Sequence, residues 1–126
     1  VLGHDLSVYP SYYEPWGYTP LESAAFHIPT ITTNLAGFGL WVNSELGHEG
    51  KLVDGVEVIC RNDSNYFDAA EVITKTICIF AKLSEKEVSE CRKKVAKLAE
   101  KALWKHFIKN YLTAYDFALN AAKKRN

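Results

Sequence analysis

The sequence predicts an α/β fold built on a doubly wound parallel sheet, and three observations predict it. Short runs that read as strands recur along the first 60 residues: Leu6-Ser-Val-Tyr9, Thr30-Ile-Thr-Thr33 and Val56-Glu-Val-Ile-Cys60. All seven glycines and all four prolines also lie in residues 1–60, which makes that part rich in turns. From Ser64 onward, apolar residues recur three or four apart, the period of a helix. Strand, helix, strand, loop, strand and then helices is the order of a layered parallel sheet. Three strands fall short of the about five or six in a complete doubly wound sheet. The expectation is therefore the C-terminal part of such a domain, truncated, spanning residues 1–126 and leaving an edge strand open.

Each element has a local reason. The first strand ends at Pro10, which biases the residue before it toward extended backbone. Thr19-Pro20-Leu21-Glu22 reads as the start of a short helix, with Thr19 as N-cap, Pro20 at the first position and Glu22 completing a capping box. Pro29 stops that helix after LESAAFH, with His27 near its negative pole. Residues 34–55 show no period and five glycines, so they read as a loop with at most a short helix near Leu40–Asn43. Beyond Ser64, Phe67, Ala70, Ile73, Ile77 and Phe80 share one helical face. Ser84 with Glu87 forms a second capping box, ahead of a stripe through Val88, Cys91, Val95, Leu98 and Ala102. A third stripe runs through Trp104, Phe107, Ile108, Tyr111, Tyr115, Ala118 and Leu119, with a break expected near Leu103 and Trp104. Cys60 and Cys78 fall in apolar runs and read as inert core.

Composition excludes several function classes. The chain has 126 residues, 48% apolar and 24% charged, with no net charge. Bulk attraction to nucleic acid or to an anionic membrane is not expected. Residues 1–60 hold one base, Lys51, against seven acids, whereas residues 61–126 hold 14 bases against eight acids. No run approaches the length of a membrane span. Three cysteines do not make a disulfide scaffold and point to a reducing, cytoplasmic setting. His4, His27, His48 and His106 show no ligand spacing with them, so neither a metal nor a cofactor is expected.

The loop SYYEPWGYTPLE carries the chemistry. It follows a strand and opens a helix, and ligands of open α/β sheets sit beyond the carboxyl ends of the strands. Free amides at Leu21 and Glu22 together with the helix dipole favour an anion. Thr19 adds a hydroxyl, and Gly17 lets the backbone approach closely. Tyr12, Tyr13, Trp16 and Tyr18 offer flat faces, and Glu14 an acceptor. That set suits a nucleotide sugar. The plainer readings stand beside it: Glu22 as partner of Thr19 in the cap, Glu14 as a solvated loop acid, and the aromatic rings as packing.

The string PSYYEPWGYTPLE with TITTNLAGFG, VEVICRNDSN and WKHFIKNYLTAYDFAL resembles glycogen synthases of fungi, animals and some bacteria across nearly the whole chain. The resemblance implies a retaining glycosyltransferase with two doubly wound, Rossmann-like domains, of which this chain is the C-terminal portion. It implies transfer of glucose from UDP-glucose, with ADP-glucose left open, to the non-reducing end of an α-1,4-glucan. Glu14 would lie beside the transferred glucose and Glu22 would bond the ribose. Trp16 and Gly17 would line the sugar and diphosphate pocket. Tyr18 would sit near the nucleotide and its backbone, with Thr19, would touch the diphosphate; Asn34 and Gly37 would border the same cleft. The implied partners are a sugar nucleotide, a glucan acceptor and an N-terminal domain, toward which the last helix, residues 104–123, would cross. A homo-oligomeric parent stays open, as do a starch or sucrose synthase-like parent and a non-catalytic binding module. Residues 1–50 contain no Lys or Arg to neutralise a leaving diphosphate, so the chain alone is expected to be inactive.

Overall fold

The computed structural model describes residues 3–125. Three strands, β1 (Ser7–Val8), β2 (Thr30–Thr33) and β3 (Val56–Ile59), form a parallel sheet in that spatial order. Helices α1 (Tyr18–Ala25) and α2 (Gly37–Leu46) connect them. Helices α3 (Tyr66–Phe80), α4 (Glu85–Lys101) and α5 (Trp104–Lys123) follow. Thr30 pairs with Ser7 on one side and Val56 on the other, and the β2–β3 ladder runs on to Thr33 opposite Ile59. A small parallel sheet flanked by helices is the architecture expected of part of a doubly wound domain.

Strand β2 is buried at every position, as its central place requires. Its β-branched residues, Thr-Ile-Thr-Thr, suit a stiff extended backbone. The alternation of β3 feeds two cores. Val56 and Val58 join Ala24, Phe38, Val42, Val95, Leu98 and Ala99, contributed by α1, α2 and α4. Ile59 joins Ile31 and Ala69, with Leu6, Val8 and Ile73 against them. Burial of one large side chain such as Phe38 contributes roughly 2–3 kcal/mol. The outer edge of β3 is covered, because Val58 N–H donates to Gly50 O at 2.9 Å. Helix α4 reaches the sheet only because Gly55 lacks a side chain; a Cβ there would stand 2.5 Å from Val95 N and 2.8 Å from Cys91 O.

Two expectations about the later helices hold. Ser84 Oγ accepts from Glu87 N–H, and Ser84 N–H donates to Glu87 Oε2, closing the capping box. The Ser84 hydroxyl also donates to Glu87 Oε2 at 2.7 Å, and this bond, with the one from Ser84 N–H, holds the Glu87 carboxyl below its ordinary pKa. The chain also breaks at Leu103, whose extended backbone caps α5.

Other expectations fail, each for a physical reason. Residues 34–55 are largely helical, comprising α2 and a 3-10 turn at Leu52–Asp54. Gly37 and Gly39 are there for close approach rather than for turning: a Cβ at Gly39 would lie 2.2 Å from Thr33 O. The Thr19–Glu22 capping box does not form. Helix α1 starts at Tyr18 with Gly17 as its cap, in left-handed backbone at φ 105°, and makes no side-chain cap bond. The inward face of α3 is Ala69, Ile73 and Thr76, whereas Phe67, Ala70 and Ile77 from the expected stripe face outward. Cys60 and Cys78 are exposed, and only Cys91 is buried. Burial pushes the Cys91 thiol above its ordinary pKa.

The C-terminus of α1 is closed by a Schellman motif. Ile28 N–H reaches Ser23 O and His27 N–H reaches Ala24 O, with His27 at φ 61°. Glycine is the usual residue in that conformation. His27→Gly is expected to stabilise the chain by about 0.5–1 kcal/mol, the left-handed strain relieved less the added unfolded-state freedom. A thermal melt checks it, and the midpoint should rise. Thiol labelling of the native chain should modify Cys60 and Cys78 promptly and Cys91 only after denaturation; mass spectrometry of the labelled peptides reads this directly.

Candidate functional site

The carboxyl ends of the three strands gather three loops. The first, residues 9–17, leaves β1 and carries Glu14. Tyr9 N–H still bonds Ile31 O at 2.8 Å, so the loop begins in register with the sheet. It then rejoins the next loop. Glu14 N–H donates to Leu35 O at 3.2 Å and Gly37 N–H donates to Glu14 O at 3.0 Å, forming a parallel bridge between Glu14 and Ala36. Thr33 Oγ1 adds a bond to Ser11 O at 2.8 Å. Glu14 is half-buried and its main chain is fixed on both sides.

The close approach of the two loops dictates their glycines. A Cβ on Gly37 would stand 2.3 Å from Pro15 O and 3.0 Å from Trp16 Cα. At Gly17 a Cβ would meet Pro20 Cγ at 3.0 Å, Phe38 Cβ at 3.3 Å and Glu14 Cγ at 3.5 Å, in backbone that already disfavours side chains. Gly17 thus lets the chain turn from Glu14 straight into α1.

The amide end of α1 differs in detail from its expected form. Leu21 N–H is occupied, donating to Gly17 O at 3.3 Å, and Glu22 follows it inside the helix. The amides that meet no acceptor among the described residues are those of Tyr18 and Thr19. Pro20, at the third helical position, removes an amide that has no helical acceptor, at no cost in bonding. The polarity of the helix end still favours an anion, with the cap at Gly17 rather than at Thr19. Tyr18, Thr19 and Glu22 are all exposed.

Trp16 is half-buried, and its ring is taken up by protein. It packs edge-on against Phe38 and Phe107, at 6.4 and 5.5 Å between ring centres, and tilted against Trp41 at 6.1 Å. Asn34 braces the third loop, its Oδ1 accepting from Arg61 N–H at 2.7 Å while its own N–H donates to Ile59 O at 3.0 Å. The structure thus brings Glu14, Gly17, Asn34 and Gly37 to one edge of the sheet and sets the Tyr18–Glu22 turn directly after them.

Sequence reasoning assigned no role to Arg61, which sits at this edge. Its guanidinium lies 4.4 Å from the ring centre of Tyr12, and its Nη1 donates to Pro10 O. The available signal was an arginine directly after a strand, beside a loop rich in tyrosine. A cavity of about 790 Å³ lies elsewhere, lined by Leu52, Val53, Ile79, Leu83 and Lys94 among others, and contains none of the expected site residues. Among the described residues no group of His, Cys, Asp and Glu is suited to a metal ion, and no helix is long and apolar enough to cross a membrane.

Gly37→Ala tests the loop geometry. Its methyl would press on Pro15 O, which cannot move without moving Glu14, and the expected loss of stability is about 1–3 kcal/mol, read from urea unfolding.

A family model described as glycogen synthase matches residues 1–125. A glycogen [starch] synthase of Neurospora crassa is 32% identical over 122 residues, 97% of this chain and 17% of that protein. The human liver glycogen [starch] synthase is 33% identical over 122 residues, with the same coverage. Isoform 2 of Saccharomyces cerevisiae is 31% identical over 119 residues, 94% of this chain and 17% of that protein. The chain therefore spans about one sixth of the length of these relatives.

Proposed function

The chain belongs to the glycogen synthase family, and on that premise we propose that it forms one wall of the sugar-nucleotide site of a longer retaining glycosyltransferase. The reaction is transfer of glucose from UDP-glucose to the non-reducing end of an α-1,4-glucan. The observation that carries this reading is the main-chain bracket on Glu14, which fixes its backbone three residues ahead of Gly17, the cap of α1.

The division of labour follows from charge. The diphosphate settles against the amides of Tyr18 and Thr19, where the aligned peptide dipoles present roughly half a positive charge. Gly17 keeps that approach open. Glu14 accepts from sugar hydroxyls and stabilises the cationic ring that develops as the bond to phosphate breaks. Donor and acceptor lie on one face, and the departing phosphate takes the proton of the acceptor hydroxyl. One carboxylate suffices in such a scheme, unlike the paired acids of hydrolases. Glu22 accepts from the ribose hydroxyls, and Tyr18 borders the nucleotide. Trp16 contributes through its main chain, since its ring packs on Phe38, Trp41 and Phe107. Asn34 and Gly37 shape the border of the cleft by holding the loops.

The remaining parts come from outside this segment. Residues 1–50 contain no Lys or Arg; on this reading the cations that neutralise the leaving diphosphate are supplied by other parts of the full-length protein. The glucan acceptor binds with the help of an N-terminal domain, which the α5 helix crosses over to meet. Phe107 and Ile108 are half-buried, whereas Trp104, Tyr111 and Tyr115 on the same helix are exposed and suited to such a contact.

In the full-length protein, Glu14→Ala is expected to lower turnover by about 10²–10³-fold while UDP-glucose still binds, as measured by initial rates and by titration calorimetry. Undiminished turnover would remove the catalytic role. The 126-residue chain alone is expected to transfer no glucose.

A further inference from the structure

We propose that Arg61 is a positioning residue that clamps the loop carrying Glu14, acting through Pro10 and Tyr12; its part in turnover rests on the reading of Glu14 above. The loop needs such a clamp. Between Tyr9 and Glu14 no main-chain amide finds an acceptor among the described residues, and Pro10 has none to offer. A stretch of this kind is held by side chains or not at all.

Three side chains hold it. Thr33 Oγ1 bonds Ser11 O at 2.8 Å. Tyr12 Oη donates to Asn62 O at 3.2 Å. Arg61 contributes twice, with Nη1 donating to Pro10 O and the guanidinium plane lying over the Tyr12 ring. A planar, charged fork can bond and stack at once, which an ammonium does less well. The arm is itself anchored. Arg61 N–H is held by Asn34 Oδ1 at 2.7 Å, directly after the β2 strand. Asn65 fixes the same turn from below, with Nδ2 donating to Cys60 O at 2.9 Å and Oδ1 accepting from Asn62 N–H at 2.8 Å. The third loop is thus a rigid post, and Arg61 ties the first loop to it four residues before Glu14.

Two measurements test this. In the 126-residue chain, Arg61→Met keeps the stem but loses the fork, and amide hydrogen exchange at Glu14 and Gly37 should quicken by roughly tenfold while exchange at Val58 stays the same. Tyr12→Ala should reproduce the effect, and it serves as the second variant if Arg61→Met fails to fold. In the full-length protein, Arg61→Met should lower kcat by about 10–100-fold with KM for UDP-glucose within about threefold of its original value, because a displaced catalytic group costs rate rather than affinity. Arg61→Lys should fall between the two. Unchanged exchange at Glu14 and Gly37 overturns the clamp. A raised KM with kcat intact overturns the positioning role and makes Arg61 a donor-binding group. If exchange quickens but Glu14→Ala leaves turnover undiminished, the reading of Glu14 falls, and Arg61's part in turnover with it.

Discussion

Two main-chain hydrogen bonds, from Glu14 N–H to Leu35 O and from Gly37 N–H to Glu14 O, constrain everything else at the edge of the sheet. They bring the loop after β1 into contact with the turn after β2, closer than any side chain would allow. Gly37 follows from that contact, since Pro15 O occupies the place of its Cβ. So does Gly17, which must reverse the chain within the space left by Pro20, Phe38 and Glu14. Helix α1 can then begin at once, and its amide end falls next to Glu14. The acid and the anion-favouring helix end are neighbours because of backbone packing, not because one side chain recruits another.

The second tie is aromatic. Trp16 leaves the loop and joins Phe38 and Trp41 of α2 and Phe107 of α5, with centre-to-centre distances between 5.5 and 6.4 Å. Edge-to-face pairs of this kind add about 0.5–1.5 kcal/mol to the burial they accompany. No residue of α5 is fully buried, so this cluster is its main hold on the rest of the chain. The loop that carries Glu14 and the helix expected to meet another domain therefore share one side chain, Trp16. The ring that the sequence offers as a flat face also ties the loop to α2 and α5.

Much of this was legible beforehand. Strands β2 and β3 announce themselves through β-branched runs, Ser84 with Glu87 marks the start of α4, and the change of stripe near Leu103 marks its end. The candidate site loop stands out in the sequence because it follows a strand, opens a helix and resembles a known family. The failures share a cause. Gly37 and Gly39 have the look of turn signals, yet they lie inside a ten-residue helix. Thr19 with Glu22 has the letters of a capping box, but Gly17 starts the helix earlier. Phe67, Ala70 and Ile77 have helical spacing, yet they face outward, and the side of α3 that meets the sheet is lined by Ala69, Ile73 and Thr76. The sequence gives Arg61 no role because its partners, Pro10 and Tyr12, lie about fifty positions away in the chain.

By itself, the sequence determined the three strands, helix α1 and the helices after Ser64, the family, and the stretch that holds Glu14 and Glu22, because periodicity, capping letters and motif strings are local properties. The tertiary structure alone decided which glycines serve close packing, which helical faces are buried, and that an arginine after β3 holds the loop after β1. Those outcomes depend on the distance between segments remote in the chain, and no local pattern encodes such a distance.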